Sequence, residues 1–257
     1  MPKIIIGVSS SFCANFLKGQ VSFLVTKGYE VILISGPGEE ISMLAKKENA
    51  RLHTVDFTKR ISPLRDLRIL FQIIRILKSE KPDIVNAGNP KSGFLIILAC
   101  WLLRIRNRIF TLHGLYSDTK HGFKGWLVTR AEYFTCSLSK IVLVVSESLR
   151  QHAIERRILT PEKSIVIENG SCNGIDVKAF SRSQPNLEGA SRLKSEMKLT
   201  GQEIMLGYIG RVNKDKGIEV LIAAFNILLN RIPNARLVIV GPVEESDPVS
   251  HKAMHQL

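Results

Sequence analysis

Short runs of Ile, Val and Leu alternate with longer stretches whose apolar residues recur at helical spacing. The runs predict strands over 3–9, 29–35, 51–57, 83–87, 108–114, 140–146 and 164–169. Between them NFLKGQVSFLVTKG, SPLRDLRILFQIIRILKSEK and PKSGFLIILACWLLRIR read as helices. The strand runs are continuously apolar instead of alternating, so both faces of each are covered. That pattern belongs to a parallel sheet lying between helices, an α/β fold of Rossmann-like type.

After Asn169 the texture changes. NGSCNGIDVKAFSRSQPNLEGAS (169–191) is rich in Gly, Asn, Ser and Pro and has little periodicity, which reads as a linker. The alternation then restarts with EIMLGYIG (203–210), KGIEVLIAAFNILLNRI and ARLVIVG (235–241). The expected organisation is a complete domain over 1–168, a linker over 169–191 and the opening of a second Rossmann-like domain over 192–257.

The net charge of +13 and the pI near 9.8 point to a polyanionic partner: nucleic acid, nucleotide phosphate or an anionic membrane. Eleven Lys and Arg against three Asp and Glu fall between Lys59 and Arg108. Arg65, Arg68 and Arg75 share one side of the helix predicted over 62–81, with Leu, Ile and Phe expected opposite, and Arg104, Arg106 and Arg108 follow Trp101. This basic and aromatic grouping suits an anionic bilayer surface, or is a solvated basic face. The four cysteines, Cys13, Cys100, Cys136 and Cys172, have no metal-ligand spacing and read as reduced core thiols, with no metal expected. FLIILACWLL (94–103) falls short of the roughly 20 residues needed to span a bilayer. MPKIIIGVSSS lacks the long apolar region of a signal peptide, so a cytoplasmic location is expected.

The densest candidate chemistry is GYIGRVNKDKGIEVLIAAF (207–225). Gly210 closes a strand, Arg211, Lys214 and Lys216 follow, and Gly217 leads into a helix whose first amides favour an anion. Arg211 offers a planar fork for two phosphate oxygens and Lys216 a point charge, while Gly217 lets the backbone come close. On spacing alone the stretch is also a solvated loop carrying lysines.

GRVNKDKGIEVLIAAF resembles the GRLxxxKGxxxLIxAF segment of family-4 glycosyltransferases, which have the two-domain GT-B fold. ARLVIVGPVEE (235–245) follows where that family has its next strand, NGSCNGIDVKAF (169–180) is similar to its NGxDxxxF linking element, and TLHG (111–114) to its HG motif. The NGSxNGID form resembles bacterial enzymes of capsule, O-antigen and other lipid-linked glycan synthesis. The resemblance implies a retaining glycosyltransferase moving a sugar from a nucleotide donor, most often a UDP-sugar, to a lipid-linked glycan on the inner face of the cytoplasmic membrane. It implies that Gly210, Arg211, Lys216 and Gly217 bind the donor diphosphate, that Lys214 is solvated, and that His113 and Gly114 lie in the cleft with His113 at the reacting centre. No cofactor, metal or nucleic-acid partner is expected, and no carboxylate is assigned as nucleophile or base.

One departure concerns the first strand-to-helix loop, SSSFCANF (9–16), where many relatives carry a glycine pair. Ser9, Ser10, Ser11 and Asn15 are the acceptor-side candidates there. The family's ExxxxxxxE element has no counterpart after Gly241, where the acids are Glu244, Glu245 and Asp247. An incomplete donor domain, poor order over 203–257 and no transfer by the chain alone are therefore expected. Two other readings remain open: a non-catalytic basic protein binding membrane or nucleic acid, and a sugar-nucleotide epimerase of the same architecture.

Overall fold

The computed structural model describes residues 1–57, 62–171, 173–174, 176–244 and 248–254. Lys59 and Arg60 of the basic stretch, Cys172 and Ile175 of the linking element, and Glu245 and Asp247 lie outside the described residues. The chain divides into two units, Met1–Ile175 and Asp176–Leu257.

In the first unit the elements are β1 (Lys3–Gly7), α1 (Gln20–Thr26), β2 (Glu30–Ser35), α2 (Glu39–Lys47), β3 (Arg51–Thr54), α3 (Pro63–Glu80) and β4 (Ile84–Gly88). They continue as α4 (Pro90–Leu102), β5 (Asn107–Leu112), α5 (Gly122–Leu138), β6 (Ile141–Val144), α6 (Glu147–Glu155) and β7 (Ser164–Ile165). The seven strands pair in parallel in the order β3-β2-β1-β4-β5-β6-β7. From β1 the chain moves outward one way through β2 and β3, then crosses to β4 and moves the other way. Such crossovers are right-handed, so a reversal of direction puts the following helices on the other face of the sheet. The core divides accordingly. Val21, Ile41 and Leu44 of the α1–α2 side pack with Ile4, Ile6 and Leu33, while Ile69, Ile73, Ile96 and Cys136 of the α3–α5 side pack with Ile5, Val85 and Phe110.

Three expectations shift. The strand predicted over 164–169 ends at Ile165 because the chain turns off the sheet: Glu168 takes φ +48° and the Ser171 amide donates to the Val145 carbonyl at 2.6 Å. The helix predicted over 15–28 is broken, a 3-10 turn over Ser11–Phe16 preceding α1, with Gly19 at φ +81° between them. On α3, Ile69, Ile73, Ile76 and Leu77 form the buried stripe, but Leu64, Leu67 and Phe71 point outward among the arginines instead of opposite them.

At the amino ends of the strands, Glu80 is buried and accepts from Arg51 through both oxygens, at 2.9 and 2.6 Å, with His53 Nε2 at 2.8 Å. Burial by itself would raise its pKa, but these hydrogen bonds and charges outweigh it and hold the carboxyl below its ordinary value.

The second unit carries α7 (Gln184–Glu196), β8 (Ile204–Ile209), α8 (Ile218–Leu229), β9 (Ala235–Val240) and α9 (His251–Met254). α7 begins inside the stretch read as a linker, runs five residues past its end at 191, and buries none of its residues. β8 and β9 pair in parallel through the α8 crossover. Ile218 and Ile222 of α8 pack with Val212, Val249 and Ala253 in a small core. Much of the apolar surface stays open, Ile209 being 87% exposed.

Candidate functional site

The candidate residues fall into two groups, one in each unit. In the first unit a cleft opens at the carboxyl ends of β1, β4, β5 and β6, where parallel α/β sheets bind their ligands. His113, one residue beyond β5, lines it and stacks on Phe16, the ring centroids 5.8 Å apart and the planes at 30°. Burial lowers the His113 pKa from its ordinary 6.5, so the ring is neutral at neutral pH. Gly88 at the end of β4 leaves room for it, since a Cβ there would stand 3.1 Å from His113 Nε2.

Two asparagines missed by sequence reasoning complete this cleft. Asn86 accepts from the Thr111 hydroxyl at 2.9 Å across β4 and β5. Asn89 takes φ +65° just before Pro90 opens α4, and its Oδ1 accepts from the Ser9 amide at 3.1 Å. An Asn between a strand and a helix-opening Pro, in AGNP (87–90), is the signal that would have found it.

The serine loop is built differently from expectation. Ser9 is tied to the cleft through Asn89, whereas Ser10 and Asn15 are exposed and do not line it. Ser11 is buried. Its hydroxyl donates to Glu40 at 2.5 Å and accepts from the Ile41 amide at 3.1 Å, so it caps α2 in place of Gly38, which has no side chain to do so. The close approach comes from the facing loop: a Cβ at Gly36 would stand 2.9 Å from the Ser9 carbonyl oxygen. Gly114 is exposed, its φ is not left-handed and a Cβ there would touch nothing, so no turn demands a glycine at this position. The loop after it is held by Glu132, which is buried on α5 and accepts from the Tyr116 and Ser117 amides at 2.6 and 3.2 Å. Burial raises the Glu132 pKa, offset in part by these hydrogen bonds and the charge of Arg156.

In the second unit the loop from Arg211 to Gly217 leaves the carboxyl end of β8. Asn213, buried, uses both ends of its amide. Its Oδ1 accepts from the Lys216 amide at 3.2 Å and its Nδ2 donates to Glu244 at 3.2 Å. The same Glu244 oxygen accepts from the Arg211 guanidinium. Arg211, Lys214 and Lys216 are all exposed at their heads, and Lys216 lies 3.7 Å from Asp215. Gly217 takes φ +73°, which suits a residue without Cβ, and α8 begins after it with no side-chain cap. A Cβ at Gly210 would stand 2.8 Å from the Tyr208 hydroxyl. Two cations and the uncapped start of α8 therefore share one buttressed loop, an arrangement that can hold a diphosphate. Among the described residues, no group of three His, Cys, Asp or Glu could hold a metal ion. Nor is any helix there long and apolar enough to cross a membrane.

Residues 14–171 match the profile of Glycosyltransferase Family 4. The chain belongs to that family. Residues 191–256 of this family-4 chain match a second profile, Glycosyl transferases group 1. The chain is 31% identical over 242 residues to the capsular polysaccharide biosynthesis glycosyltransferase CapM of Staphylococcus aureus, covering 94% of this chain and 62% of CapM. It is 24% identical over 189 residues to the UDP-Gal:alpha-D-GlcNAc-diphosphoundecaprenol alpha-1,3-galactosyltransferase of Escherichia coli, covering 72% of this chain and 47% of that enzyme. The chain thus spans about half to three-fifths of these relatives. Among solved structures, Anabaena HepE in complex with UDP-glucose superposes with a TM-score of 0.70 at 17% identity, covering all of this chain and 65% of HepE. The UDP-GlcNAc 2-epimerase of Neisseria meningitidis gives 0.58 at 16%, covering 95% and 66%. At such identities the likeness shows the GT-B-like fold and does not separate transferase from epimerase. The sequence families do.

Proposed function

We propose that this chain is the acceptor-side domain and the opening of the donor domain of a retaining glycosyltransferase. The enzyme moves a sugar from a UDP-sugar to a lipid-linked saccharide in bacterial surface-polysaccharide synthesis. The carrying observation is the loop in which Asn213 and Glu244 buttress Arg211 and Lys216 beside the start of α8. The leaving group of such a transfer is a nucleoside diphosphate whose charge grows as the glycosidic bond breaks. Fixed cations stabilise that charge most in the transition state. Gly210 and Gly217 shape the loop around them.

His113, neutral in its cleft, is suited to hydrogen-bond a sugar hydroxyl near the reacting carbon, with Asn86, Asn89 and the Ser9 backbone offering further polar contacts. No side chain is assigned as base. The names of CapM and of the Escherichia coli galactosyltransferase support the surface-glycan and lipid-diphosphate acceptor class, and the UDP-glucose complex of HepE supports the donor class. Titration with UDP and with single-stranded RNA of increasing length tests the reading. UDP should bind and RNA length should not matter. Affinity that grows with RNA length, with none for UDP, would overturn it in favour of a nucleic-acid-binding protein.

A further inference from the structure

In the cleft of the first unit, Asn89 holds φ +65° with ψ 154°, a backbone region that glycine enters freely and other residues rarely do. Glycine would make this turn with less strain, so the side chain is what the position adds. Its Oδ1 accepts from the Ser9 amide at 3.1 Å and from the Cys13 thiol at 3.5 Å. A backbone N–H only donates, so the end of the Asn89 amide that meets Ser9 is the oxygen. The other end, Nδ2, has no partner among the described residues and is not sealed from solvent. Asn86 on β4 repeats the arrangement. Its Oδ1 accepts from the Thr111 hydroxyl at 2.9 Å, and its Nδ2 is likewise unpartnered among the described residues.

Both asparagines line the cleft with their oxygens engaged and their donors free. Among the described residues, none that lines it is Lys, Arg, Asp or Glu, although the chain carries a net charge of +13. A phosphate or carboxylate entering here would lose its water without gaining a counter-ion, and an ammonium would meet no carboxylate. A hydroxyl bonded to Nδ2 would still need an acceptor for its own proton, and both asparagine oxygens are taken. A carbonyl oxygen accepts and brings no proton. Phe16, Leu17 and Ile167, also in the lining, offer apolar surface to whatever the carbonyl carries.

We propose that Asn89, seconded by Asn86, selects the acceptor sugar by an acetamido group. The group's carbonyl oxygen accepts from Nδ2, and its methyl lies against the apolar residues of the lining. Asn89 is then a specificity-determining residue, with no part in the bond that breaks or the bond that forms. The inference rests on the reading that a saccharide acceptor enters this cleft, and it names the chemistry by which that acceptor is chosen. Asn89→Asp separates the two ends of the amide. The oxygen that accepts from Ser9 and Cys13 remains, while the donor becomes a second, charged acceptor that repels a carbonyl.

The test is NMR titration of the 257-residue chain with the methyl glycosides of N-acetylglucosamine, glucose and glucosamine. At a single carbon these carry acetamido, hydroxyl and ammonium in turn. The acetamido sugar should shift the side-chain amide signals of Asn86 and Asn89, each assigned by its loss in the Asp variant, and should bind about tenfold more tightly than the other two. Saturation transfer should be strongest at its acetyl methyl. Asn89→Asp should erase the preference while the Ser9 amide keeps its protection from exchange. Equal binding of the glucoside, or a preference that survives Asn89→Asp, would overturn the proposal and leave a sugar-binding cleft. Shifts with UDP-N-acetylglucosamine but not with the methyl glycoside would put the acetamido group on the donor and overturn it too. No shift of the cleft signals with any of these sugars would remove the sugar-cleft reading itself, and this inference with it. The wild-type comparison needs no substitution, so a variant that folds poorly does not decide the matter.

Discussion

The guanidinium of Arg211 donates to the carboxylate of Glu244, thirty-three positions later in the chain. The contact fixes one side of the cationic fork and leaves the rest for a ligand. Asn213 extends it, bonding the same carboxylate oxygen and the Lys216 amide, so two proposed phosphate cations are held by one buried amide.

Asn213→Ala should therefore act on both cations at once. It strips hydrogen bonds at a buried position, which costs about 1–3 kcal/mol when partners are left unsatisfied. UDP affinity should fall although Asn213 itself carries no charge. Calorimetry with UDP, alongside urea unfolding, checks this; unchanged affinity would mean that the loop needs no buttress.

His113 should titrate below 6.5, because burial opposes its charged form. The native state then takes up its proton only at a lower pH than the unfolded chain. The neutral ring costs no stability at pH 7, and stability declines as pH falls below 6.5. Phe16→Ala opens one face of the ring to water and should move the midpoint back up. NMR titration of the imidazole gives both values, and a midpoint at or above 6.5 in the wild type contradicts the burial argument.

Glu80 should set part of the acid limb of stability. Its native pKa is depressed from 4.5, so its contribution is present above that value and is lost as pH falls through the native one. Glu80→Gln should flatten this part of the profile, measured by urea unfolding between pH 7 and pH 3. Superimposable profiles would remove Glu80 from the account.

Glu132 distinguishes acceptor geometry from charge. Glu132→Gln keeps an oxygen for the Tyr116 and Ser117 amides and should be tolerated. Glu132→Ala leaves two N–H groups without an acceptor and should cost about 1–3 kcal/mol. Thermal melts of the two variants give the comparison, and equal losses would place the effect in the charge.

The strands were legible because central parallel strands are buried on both faces, and KIIIG and EVILIS can belong to little else. The outward apolar stripe of α3 was not: hydrophobicity alone groups Phe71 with Ile69 and Ile73, and only the packing shows that Phe71 faces away. α5 shows no clean helical period in the sequence because its aromatic residues lie on the exposed side. The loop cations were legible as a pattern of Arg, Lys and Gly. Their buttress was not, since Asn213 and Glu244 lie thirty-one positions apart and meet only once β8 and β9 align in parallel. Asn86 and Thr111 likewise depend on the β4–β5 register.

The central claim is that Arg211 and Lys216 hold a nucleoside diphosphate, and titration calorimetry of UDP against the wild type, Lys216→Ala and Lys214→Ala tests it most directly. Losing a charge-assisted contact of about 1.5–3 kcal/mol predicts affinity roughly tenfold to a hundredfold weaker in Lys216→Ala. Lys214→Ala, which removes a neighbouring cation of equal charge, should bind UDP as the wild type does. Wild-type affinity in Lys216→Ala, or an equal loss in both variants, would contradict the account.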